Sequence, residues 1–191
     1  MARHKEFDKA DVLQKAILIF WHQGYDATSV RDLIQAMGIS TSSLYETFGD
    51  KRAVYIQALQ AYCQHEQIQF KNMLSQAETP QIAVKTALLD SRQHMSSGAK
   101  GLFSINSTVE LGTRDSEITA ILWDHYRAIW SLFRDALIHY QHSGKLASAY
   151  DAGDLAHTLL TILYGYASIM RVKPDYPGTE SILRSLEDLI R

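Results

Sequence analysis

The chain has 191 residues, 46% of them hydrophobic and 21% charged, and a formal net charge of −2 at pH 7. This fits a small domain plus a larger one and excludes a nonspecific polycation. No run of about 18 apolar residues occurs, the N-terminus Met-Ala-Arg-His-Lys has no apolar signal core, and Cys63 is the only cysteine, so neither a membrane span nor a disulfide is expected and a reducing cytoplasm fits best.

Apolar residues recur at helical spacing almost throughout, β-branched runs of period two are missing, and the only prolines are Pro80, Pro174 and Pro177, which predicts an all-α fold of about nine helices. The first runs from a cap near Asp8 to Gly24, with Val12, Leu13, Ala16, Ile17 and Phe20 in one stripe. Three short helices follow, the last opening a connection from about 50 to 74. Longer helices are predicted from about 81 to 98, 102 to 112, 115 to 142, 151 to 172 and 178 to 190. Thr79-Pro80 has the character of N-cap and N1, and Asp151 with Asp154 resembles a capping box.

The informative stretch is residues 28–51. Thr28 is placed to cap a helix whose inner face is Val30, Leu33, Ile34 and Met37. Gly38 then supplies the left-handed C′ position, Ile39 plugs the core, and Ser40 caps the next helix. That helix buries Leu44 and Phe48 and turns Thr41, Ser42, Tyr45 and Thr47 outward. Two short helices around a glycine turn form a helix-turn-helix pattern, which divides the chain into a DNA-binding domain at 1–50 and a helical ligand-binding and dimerisation domain at 51–191. Small hydroxyl residues let the second helix approach a major groove, and Tyr45 is long enough to reach a phosphate or a thymine methyl. Asp50 is placed to cap the following helix, setting Lys51 beside free N–H groups that suit an anion. Candidate DNA contacts are Thr28, Ser29, Arg31, Ser40, Thr41, Ser42, Tyr45, Thr47 and Lys51, with Arg3, His4 and Lys5 as a basic arm. Residues 1–60 carry seven Lys/Arg and seven Asp/Glu, so overall charge gives this reading no support and a few placed groups must carry it.

Gly24-Tyr25, Thr28-Ser-Val-Arg-Asp-Leu, Ala36-Met-Gly-Ile-Ser, Leu44-Tyr-Glu-Thr-Phe and Asp50-Lys51 together resemble the N-terminal domain of the TetR/AcrR family of bacterial transcriptional regulators, over about residues 8–60. The resemblance implies a homodimer that binds an operator, usually as a repressor, and is released by a small ligand. One departure is Thr47, where family members often have histidine. Gly101-Leu-Phe-Ser-Ile-Asn-Ser-Thr-Val-Glu-Leu looks like the sixth-helix segment of one branch of the family, in which cysteine often follows the glycine. Leu102 here excludes a thiol sensor at that place.

In the larger domain, the helix over 151–172 reads as apolar nearly all round, and the last helix offers Ile182, Leu183, Leu186, Leu189 and Ile190. Both are expected to pack against their symmetry mates in a four-helix interface. Aromatic residues with interspersed polar ones suggest an effector pocket. Its candidates are Tyr62, Phe70, Phe103, Asn106, Glu110, Trp123, Tyr126, Trp130 and Tyr164, with Phe133, Tyr140, His94 and His125 nearby in the pattern. A core role competes for all of them.

No phosphate loop, nucleophile elbow, HExxH or Glu-x-x-His motif occurs. His139 and His142 share a face without a third ligand, so no metal, cofactor or enzymatic activity is expected. Two readings stay open: a ligand-responsive DNA-binding regulator, as repressor or activator, and a non-enzymatic helical dimer that binds a ligand or protein. In the first, the helix from Asp50 through Tyr55, Leu59, Tyr62 and Cys63 carries a ligand's effect to the DNA-binding end.

Overall fold

A computed structural model describes residues 7–96 and 101–190, without the side chains of 90–96. The described residues form nine α-helices and no strand: α1 Lys9–Gln23, α2 Val30–Met37, α3 Thr41–Thr47, α4 Lys51–Gln76, α5 Pro80–Ser96, α6 Phe103–Leu111, α7 Ser116–His142, α8 Ala152–Val172 and α9 Thr179–Leu189. The predicted basic arm of Arg3, His4 and Lys5, and the side chain of His94, lie outside the described residues.

Most helices begin at a side chain that accepts a first-turn N–H group. Asp8 accepts from Ala10 N–H at 2.7 Å, Ser40 from Ser43 at 3.1 Å, and Asp50 from Ala53 at 2.8 Å. Thr79 Oγ1 accepts from Ile82 N–H at 3.3 Å, with Pro80 at the first helical position. Two expectations need correction. The cap of α2 is Ser29, not Thr28: Ser29 and Asp32 form a reciprocal capping box, and Thr28 is turned inward. Asp151 caps α8 through Gly153 and Asp154 N–H, as half of a capping box. The fourth helix, predicted to open a connection from about 50 to 74, is one continuous rod of 26 residues, Lys51–Gln76.

Two hydrophobic clusters hold these helices. One joins α1, α2, α3 and the first half of α4 to Phe103, Leu111, Ile118 and Leu122 of α6 and α7. The other joins the end of α4 and α5 to the rest of α7, α8 and α9. The first cluster therefore crosses the sequence position near 50, and α4 and α7 take part in both.

Helix α8 is not apolar all round. Its inner face of Leu155, Leu159, Leu160, Leu163, Tyr166 and Met170 is buried. Its outer face is Thr158, Thr161, Gly165, Ser168, Ile169 and Val172, small residues with two aliphatic ones at its far end. The α9 stripe also turns inward: Leu183, Leu186 and Ile190 are buried against the core, and Ile182 and Leu189 are half-buried at its edge.

Candidate nucleic-acid interface

Helices α2 and α3 meet through Leu33, Met37 and Leu44, and Gly38 makes the turn between them in the left-handed region, φ 70°. Burying that side leaves Arg31, Thr41, Ser42, Tyr45 and Thr47 exposed, with the Tyr45 ring 52% exposed. An exposed tyrosine on a helix of mostly hydroxyl residues is a polar-tipped, flat group available to a partner. Ser29 and Ser40 are exposed too, but their hydroxyls are engaged as caps: Ser29 donates to Asp32 at 2.6 Å, and Ser40 lies 2.9 Å from the hydroxyls of both Ser42 and Ser43. Thr28 does not reach the surface. It is fully buried and donates to Gly24 O at 2.6 Å, so its role is to close the α1–α2 turn.

Lys51 opens α4, with its Nζ 4.3 Å from the centre of the Tyr25 ring. Asp50 occupies the Ala53 N–H, so the earlier N–H groups of α4 remain for a partner beside this ammonium. The next residue, Arg52, points the other way. Its guanidinium holds Asp115 through Nε at 2.6 Å and Nη2 at 2.9 Å, and Glu117 at 2.8 Å. The hydrogen bond from Arg52 brings the Asp115 carboxyl down to about 2.

Behind the reading face lies a set of contacts that sequence reasoning missed. Both Glu110 oxygens accept backbone N–H groups of the α1–α2 turn, from Tyr25 and from Asp26, each at 2.9 Å. A side chain on Gly24, whose φ is 86°, would bring its Cβ within 3.0 Å of both those oxygens. Arg114 pairs with Asp26 at 2.7 Å, and its hydrogen bond lowers the Asp26 carboxyl. The α6–α7 turn thus grips the helix-turn-helix at its back through Glu110, Arg114 and Asp115. Glu110 had been expected to anchor a ligand. Its carboxylate is committed to this turn instead, and Asn106 accepts a hydrogen bond from Arg171.

The other pocket candidates divide among three places. Tyr62, Phe70 and Tyr164 line a cavity of about 270 Å³ with Trp21, Glu66 and Leu163. Trp123, Tyr126 and Tyr164 line a second, of about 340 Å³, between α6 and α7, with Ser104, Val109 and His125. Trp130 borders an open depression near the α7–α8 connection, where it stacks on His157 at 4.9 Å. Phe103 is a core residue, 1% exposed and packed edge-on to Tyr55 and Tyr62. Phe133 and Tyr140 are core as well, with the Tyr140 hydroxyl donating to Ala77 O at 2.8 Å. The Cys63 thiol is buried, and burial together with the charge of Glu66 pushes it up to about 12, which makes it a poor nucleophile. No group of three His, Cys, Asp or Glu suited to a metal ion occurs among the described residues.

The profile of the bacterial regulatory proteins of the tetR family matches residues 12–58. The chain is 32% identical over 154 residues, 76% of each sequence, to the HTH-type transcriptional regulator YezE of Bacillus subtilis (strain 168). It is 27% identical over 169 residues, 85% of this chain and 79% of the other, to the HTH-type transcriptional repressor ComR of Escherichia coli (strain K12). Among solved structures, a cysteine mutant of the TetR family regulator CifR, complexed with 26 bp double-strand operator DNA, superposes with a TM-score of 0.82 at 25% identity over 98% of this chain and 97% of that one. With its helix-turn-helix facing outward and its remaining helices laid out as in those regulators, the chain belongs to the tetR family of bacterial regulatory proteins, as a helix-turn-helix transcriptional regulator.

Proposed function

We propose that the protein is a homodimeric repressor that binds a palindromic double-stranded operator and leaves it when a small molecule binds the larger domain. The observation that carries this reading is the outward face of α3 and the start of α4, where exposed Tyr45 and half-buried Lys51 flank uncapped N–H groups. Ser29, Arg31, Ser40, Thr41, Ser42 and Thr47 complete the contact surface, on a DNA-reading unit at about 1–50. Thr28 is left out as buried. Two such faces, roughly 34–36 Å apart in a dimer, read the two halves of a palindrome.

Dimerisation is assigned to the outer face of α8 with the exposed edge of α9. Thr158, Thr161, Gly165 and Ser168 allow two helices to approach closely, while Ile169 and Val172 supply apolar contact. The effector acts by binding, not turnover, and no cofactor is invoked. Among the described residues no helix is long and apolar enough to cross a membrane, and the proposed place of action is the cytoplasm. For the switch, a ligand in the first cavity bears on α4 through Tyr62 and Glu66, on the same rod that starts at Lys51. Release requires tighter ligand binding to the conformation that cannot hold DNA.

The test is a mobility-shift titration of the protein with the DNA upstream of its own gene. A retarded complex that weakens steeply with salt, and further in Tyr45→Ala, is the expected result. No complex at low salt would leave a helical dimer that binds a ligand or a protein without DNA. Increased transcription from the bound promoter would make the protein an activator.

A further inference from the structure

We infer that the cavity enclosed by α1, α4, α5, α7 and α8 takes a compact amphipathic cation, its ammonium-type head group held by Glu66; this specifies the effector class and rests on the ligand-responsive reading above. Aromatic faces of Trp21, Tyr62, Phe70 and Tyr164 and aliphatic groups such as Leu160 and Leu163 form the walls. At about 270 Å³ the space is at the small end for ligand cavities, for which roughly 300–1,000 Å³ is usual, so the ligand is compact.

Glu66 places a carboxylate in this apolar wall, its side chain 20% exposed. One oxygen, Oε2, accepts from the Ser104 hydroxyl at 3.1 Å and lies 3.1 Å from His125 Nε2. That second approach is off the line of the ring N–H: His125 is 3% exposed and its Nε2 has no hydrogen-bond partner. The Gln67 side-chain amide sits 3.3 Å from His125 Nδ1. The other oxygen, Oε1, makes no hydrogen bond among the described residues.

A carboxylate set in a largely apolar wall with one oxygen unused can accept from a donor that a ligand brings. Among the described lining residues there is no lysine or arginine to supply one. Besides Glu66, the wall's polar groups are the neutral amides of Gln14 and Gln69, the His65 imidazole, the Tyr62 and Tyr164 phenols, and the Trp21 indole N–H, which is committed to Gly101 O at 2.7 Å. Burial, and after it the charge of Glu66, holds the Tyr62 and Tyr164 phenols above the ordinary tyrosine range, so neither adds a competing anion and both keep π-faces that attract a cation. An anionic ligand meets repulsion here, and a purely apolar one brings the carboxylate no donor.

The test compares three ligands that share one body and differ in the head group: 3-phenylpropylammonium, 3-phenylpropan-1-ol and 3-phenylpropanoate. Each is titrated calorimetrically into the full-length protein. The ammonium is expected to bind about tenfold or more tightly than the alcohol, and the carboxylate more weakly than either, as charge-assisted hydrogen bonding predicts. Glu66→Gln is expected to bring the ammonium down to the alcohol's affinity. Equal or tighter binding of the alcohol or carboxylate, binding of none of the three, or an ammonium advantage that survives in folded Glu66→Gln overturns the proposal. The wild-type series decides it alone if that variant does not fold. A parallel mobility shift separates the two readings. Ammonium preference in a protein that binds no operator supports the cavity assignment and overturns the repressor, whereas operator binding without that preference does the reverse.

Discussion

In the proposed complex Tyr45 and Lys51 act on DNA in different ways, and replacing each has a different signature. Lys51→Ala removes one phosphate-neutralising charge, so operator affinity falls about equally for all sequences and the slope of log affinity against log salt drops by about one. Tyr45→Ala removes a shaped contact, and the expected loss of about tenfold persists at high salt. Both are read by fluorescence anisotropy with a labelled operator at several salt concentrations. Thr28 provides the contrast. Thr28→Val breaks the buried hydrogen bond to Gly24 O and is expected to destabilise the fold by about 1 kcal/mol in denaturant titration, with operator affinity unchanged for the folded fraction. The outward set was legible because the 3.6-residue period puts Leu44 and Phe48 inside and Tyr45 outside. Thr28 was not, since Thr28 and Ser29 are equally good caps by residue type and only the turn from Gly24 decides which one faces inward.

Among the elements, α4 and the α6–α7 turn set the posture of the helix-turn-helix. Glu110→Gln replaces a carboxylate that serves two N–H groups by an amide that can accept from one and opposes the other. A loss of roughly 1–3 kcal/mol in stability is expected, along with weaker operator binding in the folded protein. Unaltered affinity and melting temperature would show that the turn holds without it. The Arg52–Asp115 pair predicts a pH dependence. Because Asp115 is depressed to about 2 in the folded chain against about 3.9 when unfolded, its contribution is fully present above about 3.9 and is lost as pH falls through about 2. Arg52→Gln is expected to flatten that part of the acid limb in melting curves recorded between pH 2 and 5. These partners lie 63 to 88 residues apart in sequence, whereas the caps lie two or three apart. Local chemistry was readable for that reason. The grip of Glu110, Arg114 and Arg52 was not, because nothing in the spacing of a helix reveals which distant turn its side chains will meet.

For the whole molecule, the outer face of α8 is the element least explained by the single chain. Ile169 is 41% and Val172 85% exposed, next to a row of small residues. Ile169→Arg is expected to shift the protein from dimer to monomer in light scattering and to lower operator affinity by more than the loss of any one DNA contact, since both half-sites are lost together. A dimer that persists in this variant would move the interface elsewhere. The amphipathic periods gave nine helices within a residue or two of their ends, but not the two-cluster packing, which depends on how α4 and α7 lie across each other. That packing bears on transplantation. Phe20, Leu33 and Tyr55 share a core with Phe103 and Ile118, so the reading head cannot be excised at residue 50 and grafted onto another sensor as a finished part. A working chimera must carry α6 and the first turns of α7 with it, or rebuild their apolar surface on the recipient.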